Sequence, residues 1–403
     1  MISDIIYYET QDKKLKQKKE TAKQYIQKNI VLGDHQKTFI KKEEVFLGHF
    51  PATFVNENSQ IRKNQLRKII KENILNKNTV VYFKNNFEES DDTLTWFKNL
   101  NIDSAWLDFE TKTQSTQSID PLRLLLKKPT ILNDLFGSAL GEIIFSVTQE
   151  IEEYHSTQEQ DVFFNSKSLF DLIDLDNLLH IYEEKHFPKS ALLIKNYFTE
   201  DLKIELQHFS VIHRHNIEKH LINSVRGNLI LKSIKHFEEK GLFSTKPTID
   251  LVEIMNNEST LFINTYTPKG IILEPLSIND IITYNLICAS QLSDNPNNNI
   301  ILEDVLQDYY SEVLRDSAFA QGQTKDRWMY VFSYFEPHEH EVIKHVHNSR
   351  SFILSNINSA FGKKVFTDKL PHISKFMKKI KKDNDHFVVF RSNEDDKPAF
   401  IKA

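Results

Sequence analysis

The sequence predicts an α/β protein, a mostly parallel sheet whose chain is interrupted by an all-helical block. Three observations carry this reading. Short apolar runs alternate with helical patterns between about 45 and 128, which is how parallel sheets are written. The apolar period then switches to 3.6 residues and stays there from 130 to 243. From about 246 the short apolar runs return.

Each element follows in chain order. Residues 10–29 form a charged, helix-forming stretch, and 1–44 is expected to be a charged helical N-terminal arm. FPATFV reads as a short strand. In IRKNQLRKIIKENIL, Leu66, Ile69, Ile70 and Ile74 fall on one helical face. TVVYF (79–83) reads as a buried strand, SDDTLTWFKNL as a capped short helix and SAWLDF (104–109) as another strand. Leu132, Leu135, Phe136, Ala139, Leu140, Ile143, Ile144, Val147 and Ile151 then hold one helical face, and SLFDLIDLDNLLHIYEE, 199–223 and 226–239 continue in helical style. The later strands are TLFINTY (260–266), NIIL (299–302), WMYVFSY (328–334), SFILSN (351–356) and HFVVF (387–391). Val305, Leu306, Tyr309, Tyr310, Val313 and Leu314 mark an amphipathic helix among them. The expected domains are therefore 45–128 joined with 246–403, with 129–245 inserted. Two separate α/β domains are the alternative.

Composition sets further bounds. At 403 residues, with 40% apolar and 27% charged, the chain is long enough for two or three domains with real cores. No apolar run approaches the roughly 18 residues that span a bilayer. The N-terminus lacks the order of a signal peptide, and Cys288 is the only cysteine, so a cytoplasmic protein without internal disulfides is expected. The net charge of -5 is mixed along the chain, which argues against duplex nucleic acid as the main ligand. Glycine is scarce: 9 residues, roughly 2% against a usual 7% or so, and glycine is what lets backbone approach a phosphate.

Four constellations are candidates for chemistry. The turn after FPATFV stands where a strand–loop–helix phosphate site would be, and a phosphate loop needs G-x-x-x-x-G-K-[ST]. The matching window, ENSQIRKN (57–64), has Glu57 and Arg62 for the glycines, Lys63 for the lysine and Asn64 for the hydroxyl. It reads as an active loop, a plain helix start or a degenerate relic. In NIILEDVL, Glu303 and Asp304 end a strand as a magnesium-linked carboxylate and its neighbouring base would, in reversed order, or else they cap the next helix. WLDFETK places Asp108, Glu110 and Lys112 after a strand, with Asp103 upstream, as in a magnesium-dependent nuclease core. His208, His213, His215 and His220 form one histidine cluster, and His338, His340, His345 and His347 another. His340 and His345 are five apart, which puts them about 140° apart on a helix and defeats the zinc-protease spacing. Cys288, in YNLICASQL, reads as a packing residue.

The order of elements over about 45–400 resembles the type IV secretion coupling ATPases, the TraD- and DotL-like proteins. FPATFVNENSQIRKNQLRKII lies where their first strand, phosphate loop and helix would be. VVYF, TWFKNLNIDSAWLDF and IDPLRLL are similar to their next two strands and Asn-Pro-Leu segment, with Asp120 in place of Asn. PTIDLVEIMNNESTLFINT resembles their return from the helical domain. IILEDVLQDYY, AFAQGQ and WMYVFSYF resemble the acidic strand, the Ala-Gln stretch and the sensor strand, and SFILSNINSAFGKKVF the strand that follows. The chain departs from the pattern at both phosphate-loop glycines, at the acidic pair, at Tyr334 near the sensor glutamine, and in lacking an N-terminal membrane anchor. The resemblance implies a RecA-like fold split by a helical domain. Together with the departures it implies a non-catalytic structural or adaptor subunit without cofactor or metal, working with other protein subunits of a secretion or conjugation complex and meeting the inner membrane only through a partner. Lys63, Asn64, Glu303 and Asp304 would then be a degenerate nucleotide site. The alternative is a magnesium-dependent nuclease using Asp108, Glu110 and Lys112.

Overall fold

A computed structural model describes residues 30–36, 42–47, 51–85, 92–100, 104–109, 115–160, 162, 164–172, 175–183, 187–201, 203, 225–266, 275–295, 298–305, 326–333, 349–355, 357, 364, 386–391 and 399–402. The strands are β1 (Ile30–Gln36), β2 (Lys42–Leu47), β3 (Ala52–Asn56), β4 (Thr79–Lys84), β5 (Ser104–Asp108), β6 (Thr260–Asn264), β7 (Asn298–Glu303), β8 (Arg327–Phe332), β9 (Ser351–Ser355), β10 (His386–Arg391) and β11 (Ala399–Lys402). They form one sheet in the order β2-β1-β11-β10-β9-β3-β8-β7-β4-β6-β5. From β9 to β5 all neighbours are parallel, and from β9 to β2 all are antiparallel. The seven parallel strands include every strand expected from SAWLDF to WMYVFSY.

These strands read as unbroken apolar runs because both of their faces are covered. Alternate residues go to opposite sides. Val55, Val81, Phe83, Ile263, Leu302 and Tyr330 face one core, while Phe54, Val80, Tyr82, Phe262, Ile301 and Val331 face the other. The second core is closed by helix α1 (Ser59–Leu75), through Leu66, Ile69 and Ile70, and by α2 (Thr93–Lys98), through Phe97. Asn58 caps α1, its side chain accepting from Ile61 N at 3.1 Å.

The first core continues into the helical block: α3 (Pro121–Leu125), α4 (Pro129–Phe136), α5 (Ser138–Ser156), α6 (Ser166–Leu172), α7 (Leu175–Glu183), α8 (Pro188–Asn196) and α9 (Val225–Glu239). Tyr197–Asp201 extends α8 by a π turn. Prolines open α3, α4 and α8, where the missing N–H has no helical partner to lose. Gly137, at φ 85°, turns α4 into α5, and the α-carbon of Gly141 lies so close to Asn133 that a β-carbon would stand 2.5 Å from its backbone nitrogen. Buried Glu150 reaches from α5 to accept from the amides of Lys189 and Ser190 at 3.0 Å each, and so caps α8. The chain returns through α10 (Leu251–Asn256) to β6 and then α11 (Pro275–Leu292), which packs on α3 and α9.

Two segments, 115–120 and 242–250, cross between sheet and helical block as a paired neck. Ile119 N donates to Leu242 O (3.1 Å), Ser244 N to Ile119 O (2.9 Å) and Ile249 N to Ser118 O (3.0 Å). Ser118 N donates to the hydroxyl of Thr248 at 2.9 Å. At the outer edge of the sheet, Gln117 Oε1 accepts from the backbone N–H of Trp106 at 2.7 Å, on the side of β5 that has no neighbouring strand among the described residues.

One expectation is corrected. Residues 30–36 and 42–47 are strands of an antiparallel pair, not part of a helical arm, with a register shift between Val31 and Gly33. Ile30 and Val31 favour extended backbone, and pairing with the rest of the sheet overrides the charged composition around them. The charged stretch 10–29, most of 199–223, most of the helix expected at 305–314 and the basic segment 373–382 lie outside the described residues.

Candidate functional site

In open α/β sheets ligands bind beyond the carboxyl ends of the strands. Here those ends hold Asn56 on β3, Lys84 on β4, Glu303 and Asp304 on and after β7, and Ser333 after β8. The strand expected to carry the acidic pair, β7, and the one carrying the expected phosphate turn, β3, are separated only by β8.

The turn from β3 into α1 is just Glu57 and Asn58. It is tied down locally: Asn56 Oδ1 accepts from Asn58 N at 2.9 Å. Beside it lies buried Arg62. Its Nε donates to Glu303 Oε1 at 2.7 Å and its Nη1 to the carbonyl of Asn56 at 2.9 Å, so one guanidinium bridges the ends of β3 and β7. The residue is 2% exposed. The second carboxylate oxygen of Glu303 accepts from the hydroxyl of Tyr82. Lys84, also buried, stands directly across from Glu303 in the parallel register of β4 and β7. Arg62, Lys84, Glu303 and Asp304 therefore sum to zero formal charge within a buried space, the condition under which buried ions are tolerated.

Asp304 adopts a left-handed φ of 55°, unusual outside glycine, Asn and Asp. Its N–H donates to Val331 O (3.0 Å), and its Oδ1 accepts from Ser333 N (2.8 Å). Burial, and then the neighbouring Glu303 charge, push its carboxyl up to about 6, against the opposing pull of Arg62 and Ser333.

The other expected members of the nucleotide set lie elsewhere. Lys63 pairs with Asp92 at 2.6 Å on the flank of α1, and Arg67 shares the same oxygen at 2.6 Å. These two hold Asp92 well below the ordinary carboxylate range, Lys63 foremost. Asn64 is exposed and accepts from Gln60. The acidic pair is thus met by Arg62, and by Tyr82, neither of which sequence reasoning counted as a site residue. The signal was present: Arg62 is a charged residue on the inward stripe of α1, four residues before Leu66 and seven before Ile69.

Asp108 ends β5 and accepts from Asn264 Nδ2 at 3.0 Å. Glu110, Lys112, Asp103, Tyr334, the AFAQGQ stretch and both histidine clusters lie outside the described residues. Among the described residues, no three His, Cys, Asp or Glu side chains are grouped to hold a metal. Asp120 is an N-cap, accepting from the amides of Leu122 and Arg123, and burial raises its carboxyl. Cys288 is buried, which pushes its thiol up to about 11, as suits a packing residue. Among the described residues no helix is long and apolar enough to cross a membrane.

No protein-family model matches the sequence, and no curated protein is similar to it. The fold does have solved counterparts. The unbound monoclinic form of the bacterial conjugative coupling protein TrwBdeltaN70 aligns with a TM-score of 0.53 at 12% identity, covering 87% of this chain and 84% of that one. The plasmid coupling protein TrwB with ADP and Mg2+ gives 0.51 at 11% identity, and TrwB with the GTP analogue GDPNP gives 0.50 at 11%, both over the same shares. The chain thus has the RecA-like fold of a conjugative coupling protein, a parallel sheet carrying a helical block, with an arginine–glutamate pair bridging its strand ends.

Proposed function

We propose that this protein is a non-catalytic structural or adaptor subunit of a type IV secretion or conjugation complex, built on the coupling-protein fold. The observation that carries the reading is the Arg62–Glu303 pair. TrwB has been solved with ADP and Mg2+ and with GDPNP. In this chain both oxygens of Glu303 are already engaged, by Arg62 and Tyr82. A carboxylate oriented by these two partners is held towards the protein, and turning it to a magnesium ion would mean giving up one of them. Opening the pair would leave a buried charge uncompensated, at about 3–5 kcal/mol. The two-residue turn before α1, with no glycine, leaves little backbone to wrap a phosphate. The mixed surface charge, at net -5, speaks for protein partners over nucleic acid. Among those surfaces the charged segment 10–29 and the basic 373–382 are amphipathic in sequence, as partner-docking helices are.

The test has two arms. Calorimetric titration with Mg-ATP is expected to show no millimolar-range binding and no hydrolysis above background. A millimolar-range Mg-ATP isotherm, or hydrolysis above background, would overturn the non-catalytic half. Co-purification at moderate salt, with and without residues 1–30 and separately 373–403, is expected to recover a stable complex that depends on one of these segments. A monomer without a partner that cleaves DNA or RNA with magnesium would replace the adaptor by the nuclease reading.

A further inference from the structure

Two of the junctions between the helical block and the sheet, among the described residues, stand out. The first is the paired neck. Beyond the bonds already given, Ser115 N donates to Lys240 O (3.0 Å) and Thr248 N to Ser118 O (3.1 Å), with Ser118 Oγ within 3.3 Å of the same nitrogen. Ser118 and Thr248 thus serve each other in both directions, side chain to backbone. A hinge needs a few residues free to change φ and ψ. Here the backbone amides that such a change would swing are committed across the neck. Arg123 on α3 adds a bond to Asp250, the N-cap of α10, at 3.1 Å.

The second is an aromatic junction beneath the neck. Phe109 leaves the carboxyl end of β5 and meets Phe237 of α9 at 4.8 Å between ring centroids and Phe243 of the neck at 5.6 Å, both edge to face. Phe237 and Phe243 meet each other at 5.9 Å. All three are 2% exposed or less. They belong to one continuous core that includes Val81, Phe83 and Leu107 from the sheet and Phe136, Ile144 and Phe198 from the block. Packed aromatics do not slide by small steps, because interiors are close-packed and shift only between discrete arrangements.

We infer that the neck is a strut: the helical block is carried on the sheet as one rigid body and does not swing relative to it. Any movement this protein makes in an assembly is then movement of the whole body.

Hydrogen exchange on the full chain tests this directly. The amides of Ile119, Ser244, Thr248 and Ile249 are expected to be protected to within about 10-fold of those in β4 and β6, since local opening of a strut requires near-global unfolding. Exchange in the neck more than about 100-fold faster than in those strands would overturn the inference. A second measurement places spin labels at exposed Lys68 on α1 and exposed Lys195 on α8. One narrow distance distribution is expected. Two resolved distances, or one broad distribution, would show a moving block and refute the strut.

Discussion

Replacing Arg62 by methionine isolates the contact that defines the crevice. The side chain is buried, 2% exposed, and so is its partner Glu303. Met keeps most of the aliphatic volume, so packing loss is small. What remains is a buried carboxylate that has lost its closest cation and keeps the Tyr82 hydroxyl, with Lys84 across the strand pair, plus the freed carbonyl of Asn56. Breaking one side of a buried pair costs about 3–5 kcal/mol. At about 1.2 °C per kcal/mol for a chain of 403 residues, the melting temperature should fall by about 4–6 °C. The partner variant is Glu303→Gln, which removes the charge and keeps an acceptor for Tyr82. The double variant Arg62→Met/Glu303→Gln should recover more than half of the loss, because no uncompensated charge is left. The assay is denaturant unfolding of the wild type, both single variants and the double, read as a thermodynamic cycle. A loss below about 1 kcal/mol for Arg62→Met, or a double variant no better than that single one, would refute the electrostatic account of the crevice.

Three further outcomes are expected. Asp304 has its folded carboxyl raised to about 6 from an unfolded 3.8, so the folded state binds the proton more tightly; the stability this confers is full at low pH and is lost as pH rises through about 6. Asp304→Asn keeps the acceptor for Ser333 and tolerates the left-handed φ, so it should match or exceed the wild type in denaturant melts at pH 8 and lose that advantage near pH 4; a variant clearly weaker at pH 8 would count against it. Gly141→Ala drives a β-carbon against the Asn133 backbone and should destabilise by about 1–3 kcal/mol in thermal melts. Residues 129–245 expressed alone are expected to be helical by circular dichroism but to bind a hydrophobic dye, because Phe237 and Phe243 lose Phe109; a disordered spectrum would remove the proposed domain boundary.

The parallel half of the sheet was legible because its strands are buried on both faces and so appear as short unbroken apolar runs, TVVYF and TLFIN among them. The helical block was legible because Leu132 to Ile151 keep an apolar helical period, but not as one helix: Gly137, at φ 85°, breaks the run into α4 and α5, which fold back so closely that Gly141 lies against Asn133. The strands β1 and β2 were not. Their apolar residues, Ile30–Leu32 and Val45–Leu47, are flanked by charged and polar ones, and beyond their own hairpin they are tied into the sheet by pairing with β11, which no local window contains. The crevice was half legible. Glu303 and Asp304 announce themselves by ending an apolar strand. Their true counterpart was hidden because a template match aligns Lys63 with a catalytic lysine, whereas helix geometry turns Lys63 to Asp92 and Arg62 inward. One position along a helix is a rotation of about 100°, enough to exchange a surface charge for a buried one.

The amide of Gln117 laid against Trp106 has a consequence for how the protein can be crowded. A terminal parallel strand exposes a row of backbone donors and acceptors to any passing chain. Here the central one is already satisfied by a side chain from the same molecule, which imitates a neighbouring strand without offering a further edge of its own. At this one position the border of the sheet is finished from within. A second chain adding at this edge would have to displace Gln117 to reach the donor at Trp106. Whatever docks on this flank must be recognised by its side chains, since the backbone there has no bond to give at Trp106.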